Sequence, residues 1–492
     1  MTTRALGLCL LAGLLGQAGG VDSVLIRHAQ VADGSGRALR RCDVRIRGDR
    51  IDAVGTLRPA RADRVIDAEG LILAPGFIDV HNHMMTRFEE DPLAPTQVSQ
   101  GITTILVGQD GNSPWPIVAY LDRRRAHPAA VNTLVLVGHY TLRNLVLGKD
   151  WRRRAQPEEV ARMAQLVEQG MKEGAVGLST NLAGAGPNAV TDELVALARV
   201  AARHGGIYVT HLRDEGEQVF EAVREAIAIG ERAKIPVQIS HLKISSPRLW
   251  GRTQELISLI EEARRRGVDV TADCFAHYEW PADNKGRAPG TPPSAETALD
   301  RKLAAGAARE VTVLSCTAHP EYAAKSLQET ADSKGISPAE LVREMEREGG
   351  ARLLVPLMKE ADVRLLYRQP WVMFASDGGF VEDFMRMPRC TGTYPRLLGR
   401  YVREQGWLEV PEALRKMTGL PASRLRLSDR GVIRKGAAAD LVLFNPAVVK
   451  DRSTWIDPKP LSDGIEKVFV NGQLVWDGGK PAGARPGRLL RP

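Results

Sequence analysis

Histidines and acidic side chains recur at the ends of apolar runs in this chain, and their types are those that hold a divalent cation. The run Pro75-Gly76-Phe77-Ile78-Asp79-Val80-His81-Asn82-His83 carries two histidines two residues apart. On an extended strand, positions i and i+2 project to the same side, so His81 and His83 can aim at one ion. Other runs end in Val107-Gly108-Gln109-Asp110-Gly111, Gly138-His139, Thr210-His211, Ser240-His241-Leu242-Lys243 and Ser376-Asp377-Gly378. Imidazole together with carboxylate suits Zn2+ and related ions. One histidine at one strand end reads as a satisfied core residue, and a His-x-His pair alone is a modest signal. Four histidines and two carboxylates at five strand ends (His81, His83, Asp110, His211, His241 and Asp377) read as a metal centre. Asp110 also has an ordinary explanation, because Asp-Gly after a strand is a common turn. His28, His127, His204 and His319 lie away from the predicted strand ends and are assigned surface or structural roles.

These residues need a scaffold that brings many strand ends together. Apolar runs at 72–83, 103–108, 132–140, 175–182, 207–213, 237–243, 269–275 and 370–377 predict strands. Helical patterns at 157–173, 191–205, 214–233 and 252–267 separate several of them, and Thr191-Asp192-Glu193 places acids where a helix starts. Near-continuous apolar strands alternating with helices mean a parallel sheet covered on both faces. Eight of them predict an α/β fold of the (β/α)8 TIM-barrel type, whose chemistry lies at the C-terminal ends of the strands. The Gly/Pro-rich stretch 285–293 and an extra apolar run at 311–317 break the rhythm as an excursion after strand 7. Both chain ends are β-rich instead. Short alternating runs fill 23–74, and Asn471-Gly472 between two apolar runs predicts a hairpin.

Composition excludes several classes. The chain has 492 residues, 43% hydrophobic and 26% charged, which is globular and ample for a large core. Its net charge of +8 invites a nucleic-acid partner. The basic residues come in short bursts with acids close by, as in Glu261-Glu262-Ala263-Arg264-Arg265-Arg266, which read as solvated helix faces, so no nucleic-acid partner is predicted. Residues 1–18 carry Arg4, an apolar run over 5–16 and small residues at Gly16 and Ala18. That pattern predicts a secretory signal, a periplasmic or secreted protein, and no membrane association after cleavage. If 1–18 is not a signal, the protein is cytoplasmic. Cys42, Cys274, Cys316 and Cys390 remain, with no CxxC spacing and no pairing readable from sequence.

With these residues laid out, the chain resembles the amidohydrolase superfamily, and most closely its N-acyl-D-amino-acid deacylase (D-aminoacylase) branch. The resemblance rests on PGFIDVHNH, Gly-Ile-Thr-Thr at 101–104, GHYTLR at 138–143, GAVGLST at 174–180, THLRDEG at 210–216 and ISHLK at 239–243. It continues through DVTAD at 269–273, SDG at 376–378, PRCTGTYPRLLGRYVRE at 388–404 and ARPGRLLR at 484–491. His-x-His is generic to the superfamily, whereas SDG followed by GTYPR is specific to the branch. The resemblance implies one small β-sandwich built from both ends, with boundaries at 19–75 and 429–492 around a barrel at 76–428. It also implies His81, His83, His211 and His241 as metal ligands and Asp377 as the catalytic carboxylate. Three departures stand out. Members of the branch have Cys where Asp110 stands, and His-Pro-Arg where this chain has Met387-Pro388-Arg389. The excursion after strand 7 is shorter than usual, which predicts a reduced lid.

The implied activity is hydrolysis of N-acyl-D-amino acids to a carboxylate and a free D-amino acid, with one or two divalent ions, Zn2+ foremost. Asp377 would serve as base and then acid. For the carboxylate of a small N-acyl amino acid, Arg389 is the first candidate, with Lys243 and Arg396 next. His139 would either polarise the substrate or brace a ligand. Two rival readings stay open: another amidohydrolase reaction on a cyclic amide or a dipeptide, and a non-catalytic metal-binding homologue. Side-chain preference and oligomeric state are not legible.

Overall fold

The computed structural model describes residues 23–86, 88, 90–185, 188–284, 298–379 and 387–492. The expected signal at 1–18 and the stretch 285–293 lie outside the described residues. In chain order the strands begin with β1 (Ser23–Val31), β2 (Arg40–Arg47), β3 (Arg50–Gly55), β4 (Asp63–Asp67) and β5 (Ile72–Pro75). There follow β6 (Phe77–Asp79), β7 (Ile102–Val107), β8 (Asn132–Val135), β9 (Val137–Gly138), β10 (Gly177–Asn181), β11 (Ile207–His211), β12 (Val237–Ile239) and β13 (Val270–Cys274). The remainder are β14 (Glu279–Asn284), β15 (Thr312–Cys316), β16 (Ala351–Pro356), β17 (Val372–Phe374), β18 (Leu441–Phe444), β19 (Ile465–Val470), β20 (Gln473–Asp477) and β21 (Lys480–Pro481).

Strands β6 to β13 and β17 form the barrel. All pair in parallel, in the orders β6-β7-β8 and β9-β10-β11-β12-β13-β17. Strands β8 and β9 are one barrel strand interrupted at Leu136, whose N–H bonds to the Val107 carbonyl at 3.0 Å. The Val176 N–H reaches the Val135 carbonyl and joins the two sheets. A bridge from Asn82 to Gly378, with the Asp377 N–H on the His81 carbonyl at 3.0 Å, closes the ring. Its strands are buried on both faces because amphipathic helices cover them. The helix Val219–Ala233, for example, buries Val219, Ala222, Val223, Ala226 and Ile227 at three- and four-residue spacing. Each such Val or Ile contributes roughly 1.5–3 kcal/mol by leaving water.

The barrel strands are shorter than their apolar runs. The expected strand 72–83 splits at Gly76, where a Cβ would fall 2.2 Å from Thr103 Cγ2. Ile72–Pro75 joins the small sheet and Phe77–Asp79 joins the barrel, so His81 and His83 follow the strand rather than lie on it. The run 132–140 likewise ends early. His139 opens the helix His139–Leu147 instead of ending a strand.

Both chain ends build one sheet of nine strands, in the order β21-β20-β19-β18-β5-β1-β2-β3 with β4 beside β1. It folds over on itself, since Ile51 N–H bonds to Ala437 O and Arg50 bridges Ala438. Ile26, Val44, Ile46, Leu73, Leu441 and Phe469 fill the space it encloses. The hairpin at Asn471-Gly472 has φ of 46° and 78°, the left-handed pair that a two-residue turn of this hand requires. The excursion after β13 makes a separate antiparallel sheet, β14-β16-β15, and the apolar run 311–317 supplies β15. Cys42, Cys274, Cys316 and Cys390 are all free thiols.

Candidate active site

Three of the polar residues that follow barrel strands adopt left-handed backbone: Asp110 (φ 54°), His241 (φ 35°) and Asp377 (φ 47°). For a residue with a Cβ this costs of order 1–3 kcal/mol and must be held in place by its surroundings. The turns stop β7, β12 and β17 short and gather their side chains at one mouth of the barrel.

There, His81 Nε2 and His83 Nε2 lie 3.3 Å apart, and both approach Asp377 Oδ1, at 3.5 and 3.0 Å. The Asp110 carboxylate stands between two histidine pairs. Its Oδ2 is 3.8 Å from His81 Nε2 and 3.6 Å from His83 Nε2. Its Oδ1 is 3.9 Å from His211 Nδ1 and 4.0 Å from His241 Nε2. Metal–ligand bonds of about 2.0–2.2 Å put two ligands of one ion at just such separations. Asp110 Oδ1 and His211 Nδ1 are buried without hydrogen-bond partners, so the donors are aimed at a gap that a cation fits. His81, His83, Asp110, His211, His241 and Asp377 are thus brought together as the strand-end argument expects.

The electrostatics suit a cation too. Burial, then the neighbouring Lys243 ammonium, push His241 down to about 4, which keeps its ring neutral and able to bind. Burial works against charge on His81, but Asp377 and Asp110 outweigh it and lift the ring to about 9. Without a metal, a proton on His81 balances the carboxylates; an ion takes that proton's place. Burial opposes ionisation of Asp377, yet the Arg389 guanidinium, with His81 and His83, holds it well below the usual carboxylate range.

The cluster lines a cavity of about 500 Å³ that Phe275, Trp280, Leu357, Lys243 and Arg389 also wall. Arg389 Nη1 pairs with Asp377 Oδ2 at 2.8 Å, and its guanidinium lies over the Phe275 and Trp280 rings. Lys243 Nζ bonds to Glu215 Oε1 at 2.5 Å and lies 2.9 Å from His241 Nδ1. Two of the three predicted carboxylate-binding cations, Arg389 and Lys243, therefore face the cavity, each already beside an acid.

Two expected substrate contacts lie elsewhere. Arg396 pairs with Asp451 at 3.1 Å and is not part of the cavity wall. His139 is fully buried, with Nε2 2.7 Å from Glu193 Oε1. Because its strand gives way to a helix, its ring turns into the packing and shares Glu193 with the buried Arg143. Glu193→Ala should cost about 3–5 kcal/mol by stranding the Arg143 charge. The denaturation midpoint should drop while turnover of the folded enzyme stays near wild type; an unchanged midpoint contradicts this structural role.

Glu215 was not singled out by the strand-end argument. It accepts from Lys243 and lies 2.8 Å from His241 Nδ1 and 3.7 Å from His211 Nε2. Its position four residues after His211, within THLRDEG, was the available signal. The aromatic wall, Phe275 and Trp280, carried no signal beyond ordinary apolar patterning.

The sequence profile of the amidohydrolase family matches residues 64–476. The chain belongs to the amidohydrolase family. Within it, the chain is 37% identical to D-aminoacylase of Alcaligenes xylosoxydans xylosoxydans over 495 residues, covering 95% of this chain and 97% of that protein. Among solved amidohydrolase structures, it resembles a D-aminoacylase with a binuclear metal centre, described by one-metal activation and second-metal attenuation. The TM-score is 0.78 at 33% identity, covering 96% of this chain and 100% of the other. An N-acyl-D-glutamate deacylase from Bordetella bronchiseptica, complexed with zinc and a phosphonate mimic of the tetrahedral intermediate, gives a TM-score of 0.78 at 34% identity. Coverage there is 95% of this chain and 99% of the other.

Proposed function

We propose that this amidohydrolase hydrolyses the amide bond of N-acyl-D-amino acids, releasing a carboxylate and a free D-amino acid. The observation that carries the reading is the Asp110 carboxylate flanked by two histidine pairs, with Asp377 beside the first pair. His81, His83, Asp110, His211 and His241 would hold one or two divalent ions, Zn2+ foremost. A divalent ion in this cradle supplies Lewis acidity, polarising an amide carbonyl and making water a nucleophile near neutral pH.

The remaining chemistry belongs to the chain. Asp377 Oδ1, ionised through Arg389, takes the proton of the attacking water and delivers it to the departing nitrogen. Arg389 also lines the cavity, where its guanidinium N–H groups would meet the substrate carboxylate. The rings of Phe275 and Trp280 give the cavity an apolar wall that excludes water from the reacting amide. Arg389→Ala should raise KM at least about 10-fold, the size of a lost charged hydrogen bond. It should also lower kcat, because Asp377 loses the cation that keeps it ionised. An unchanged KM would move carboxylate capture to Lys243.

The function is tested with N-acetyl-D- and L-amino acids, hydantoins and dipeptides, assayed with added Zn2+. Turnover confined to the D-series supports the reading; turnover of hydantoins or dipeptides alone replaces it with a different amidohydrolase reaction. No turnover together with absence of stoichiometric metal favours a binding homologue. Residues 1–18 are proposed to direct export. N-terminal sequencing of protein recovered from outside the cytoplasm should begin at Gly19, and an intact N-terminus on active protein would refute cleavage.

A further inference from the structure

Two carboxylates lie under the centre without facing the cavity. Asp79 and Asp273 are both fully buried, and neither pairs with a lysine or arginine among the described residues. Burying an acid without such a partner is costly, and the cost is met only by well-made hydrogen bonds. The bonds these two make lead to the backbone of strained site residues.

Asp79 Oδ1 accepts the Ser376 N–H at 2.9 Å, and its Oδ2 accepts the Ser376 hydroxyl at 2.5 Å and the Asn82 amide at 2.8 Å. The Ser376 hydroxyl in turn accepts the Gly378 N–H at 2.9 Å. Both neighbours of Asp377 are therefore tied to Asp79, and the Asp377 N–H itself bonds to His81 O. Across β17 from Asp79, on β13, Asp273 Oδ1 accepts the N–H of His241 at 2.8 Å, and its Oδ2 accepts Gln238 Nε2 at 2.7 Å. The Asp273 carbonyl accepts the Leu242 N–H at 2.9 Å, so the turn after β12 hangs from Asp273 at two points, with a third bond from β12 itself through Gln238.

We propose that Asp79 and Asp273 are positioning residues, Asp79 holding the left-handed turn that aims the Asp377 carboxylate and Asp273 the one that aims the His241 ring. The inference rests on the hydrolase reading above for what Asp377 and His241 do, and on backbone geometry for how they are held. Both carboxylates approach His81, Asp79 Oδ1 accepting its N–H at 3.4 Å and Asp273 Oδ1 lying 3.9 Å from its Nδ1. The shorter bonds of each go to a different turn, so their losses separate. Loss of Asp79 misaims the proton carrier and acts on kcat, whereas loss of Asp273 frees a ligand and acts on metal affinity.

The amide variants are not equivalent. In Asp79→Asn, the new NH2 meets the Asn82 amide, which cannot turn without losing the Met84 N–H that its Oδ1 accepts. In Asp273→Asn, the Gln238 side chain can flip, because its Oε1 has no partner to lose. Asp79→Asn should therefore lower kcat by about 100-fold with KM within about 3-fold and Zn2+ content unchanged. Asp273→Ala should weaken Zn2+ binding by about 10–100-fold, and Asp273→Asn should restore it.

Hydrogen-exchange mass spectrometry gives a readout independent of turnover. Exchange should quicken over 375–378 in Asp79→Asn and over 238–242 in Asp273→Ala. Wild-type kcat and exchange in the first variant, or wild-type Zn2+ affinity in the second, overturn the proposal. Faster exchange spread evenly through the barrel also overturns it, since the carboxylates would then be general braces. If the unaltered enzyme turns over no amide, the hydrolase reading fails, while the exchange and zinc measurements still judge the positioning.

Discussion

Asp377→Asn is expected to keep its metal and its fold and to lose turnover by about 10³-fold or more, within the range for removal of a general acid–base group. The amide still offers an oxygen to Arg389 Nη1, so the buried guanidinium is not stranded and the denaturation midpoint should move little. The histidine pairs and Asp110 are untouched, so zinc per chain should match wild type. What disappears is the one oxygen that reaches both His81 and His83 within 3.5 Å and can carry a proton between water and leaving nitrogen. Near wild-type kcat in metal-loaded Asp377→Asn would remove Asp377 from the chemistry and point to another carrier at the cavity, Glu215 first among them.

Asp110→Asn tests the other half of the centre. Asn tolerates the left-handed backbone at this position, so the turn should survive the change. The amide is neutral and a poor ligand, and it leaves each histidine pair without the charge that faces it. Affinity for Zn2+ should fall by at least about 100-fold, beyond the loss typical of residues that only support a ligand. If two ions bind the unaltered chain, the stoichiometry should drop as well. Chelator competition and metal analysis measure both, and turnover should follow occupancy. Unchanged affinity and stoichiometry would return Asp110 to the role of a turn residue.

Much of this centre was legible in the sequence because barrel geometry converts scattered residues into neighbours. His81, His83, His211 and His241 stand at the ends of apolar runs, where a core has no use for imidazole, so their types gave them away. Asp377 announced itself in the same way, and Asn471-Gly472 in its hairpin. Other features were hidden for identifiable reasons. His139 follows a run that looks like a longer strand, but the chain turns into a helix there and buries the ring against Glu193. Arg396 lies near Arg389 in sequence, yet faces Asp451. Glu215 comes from the segment after β11 and has no periodic signature. Asp79 and Asp273 lie within apolar strands, and only their hydrogen bonds to backbone N–H groups distinguish them from errors in the pattern.

The fold also has a consequence for how the molecule is made. Asn132, at the start of β8, accepts the Arg488 N–H across 356 positions, while Thr133 exchanges backbone bonds with Arg488 and Leu490. Asn132 also bonds to Asp440 and Asn471, all three buried. A chain leaving the ribosome thus exposes the third barrel strand long before the segments that satisfy its polar groups have been synthesised. Contacts so far apart slow folding and leave unpaired surface open to misassembly in the interval. A nascent chain lacking its last stretch holds every proposed metal ligand yet leaves Asn132 and Thr133 without these partners, which couples maturation of the barrel to completion of the polypeptide.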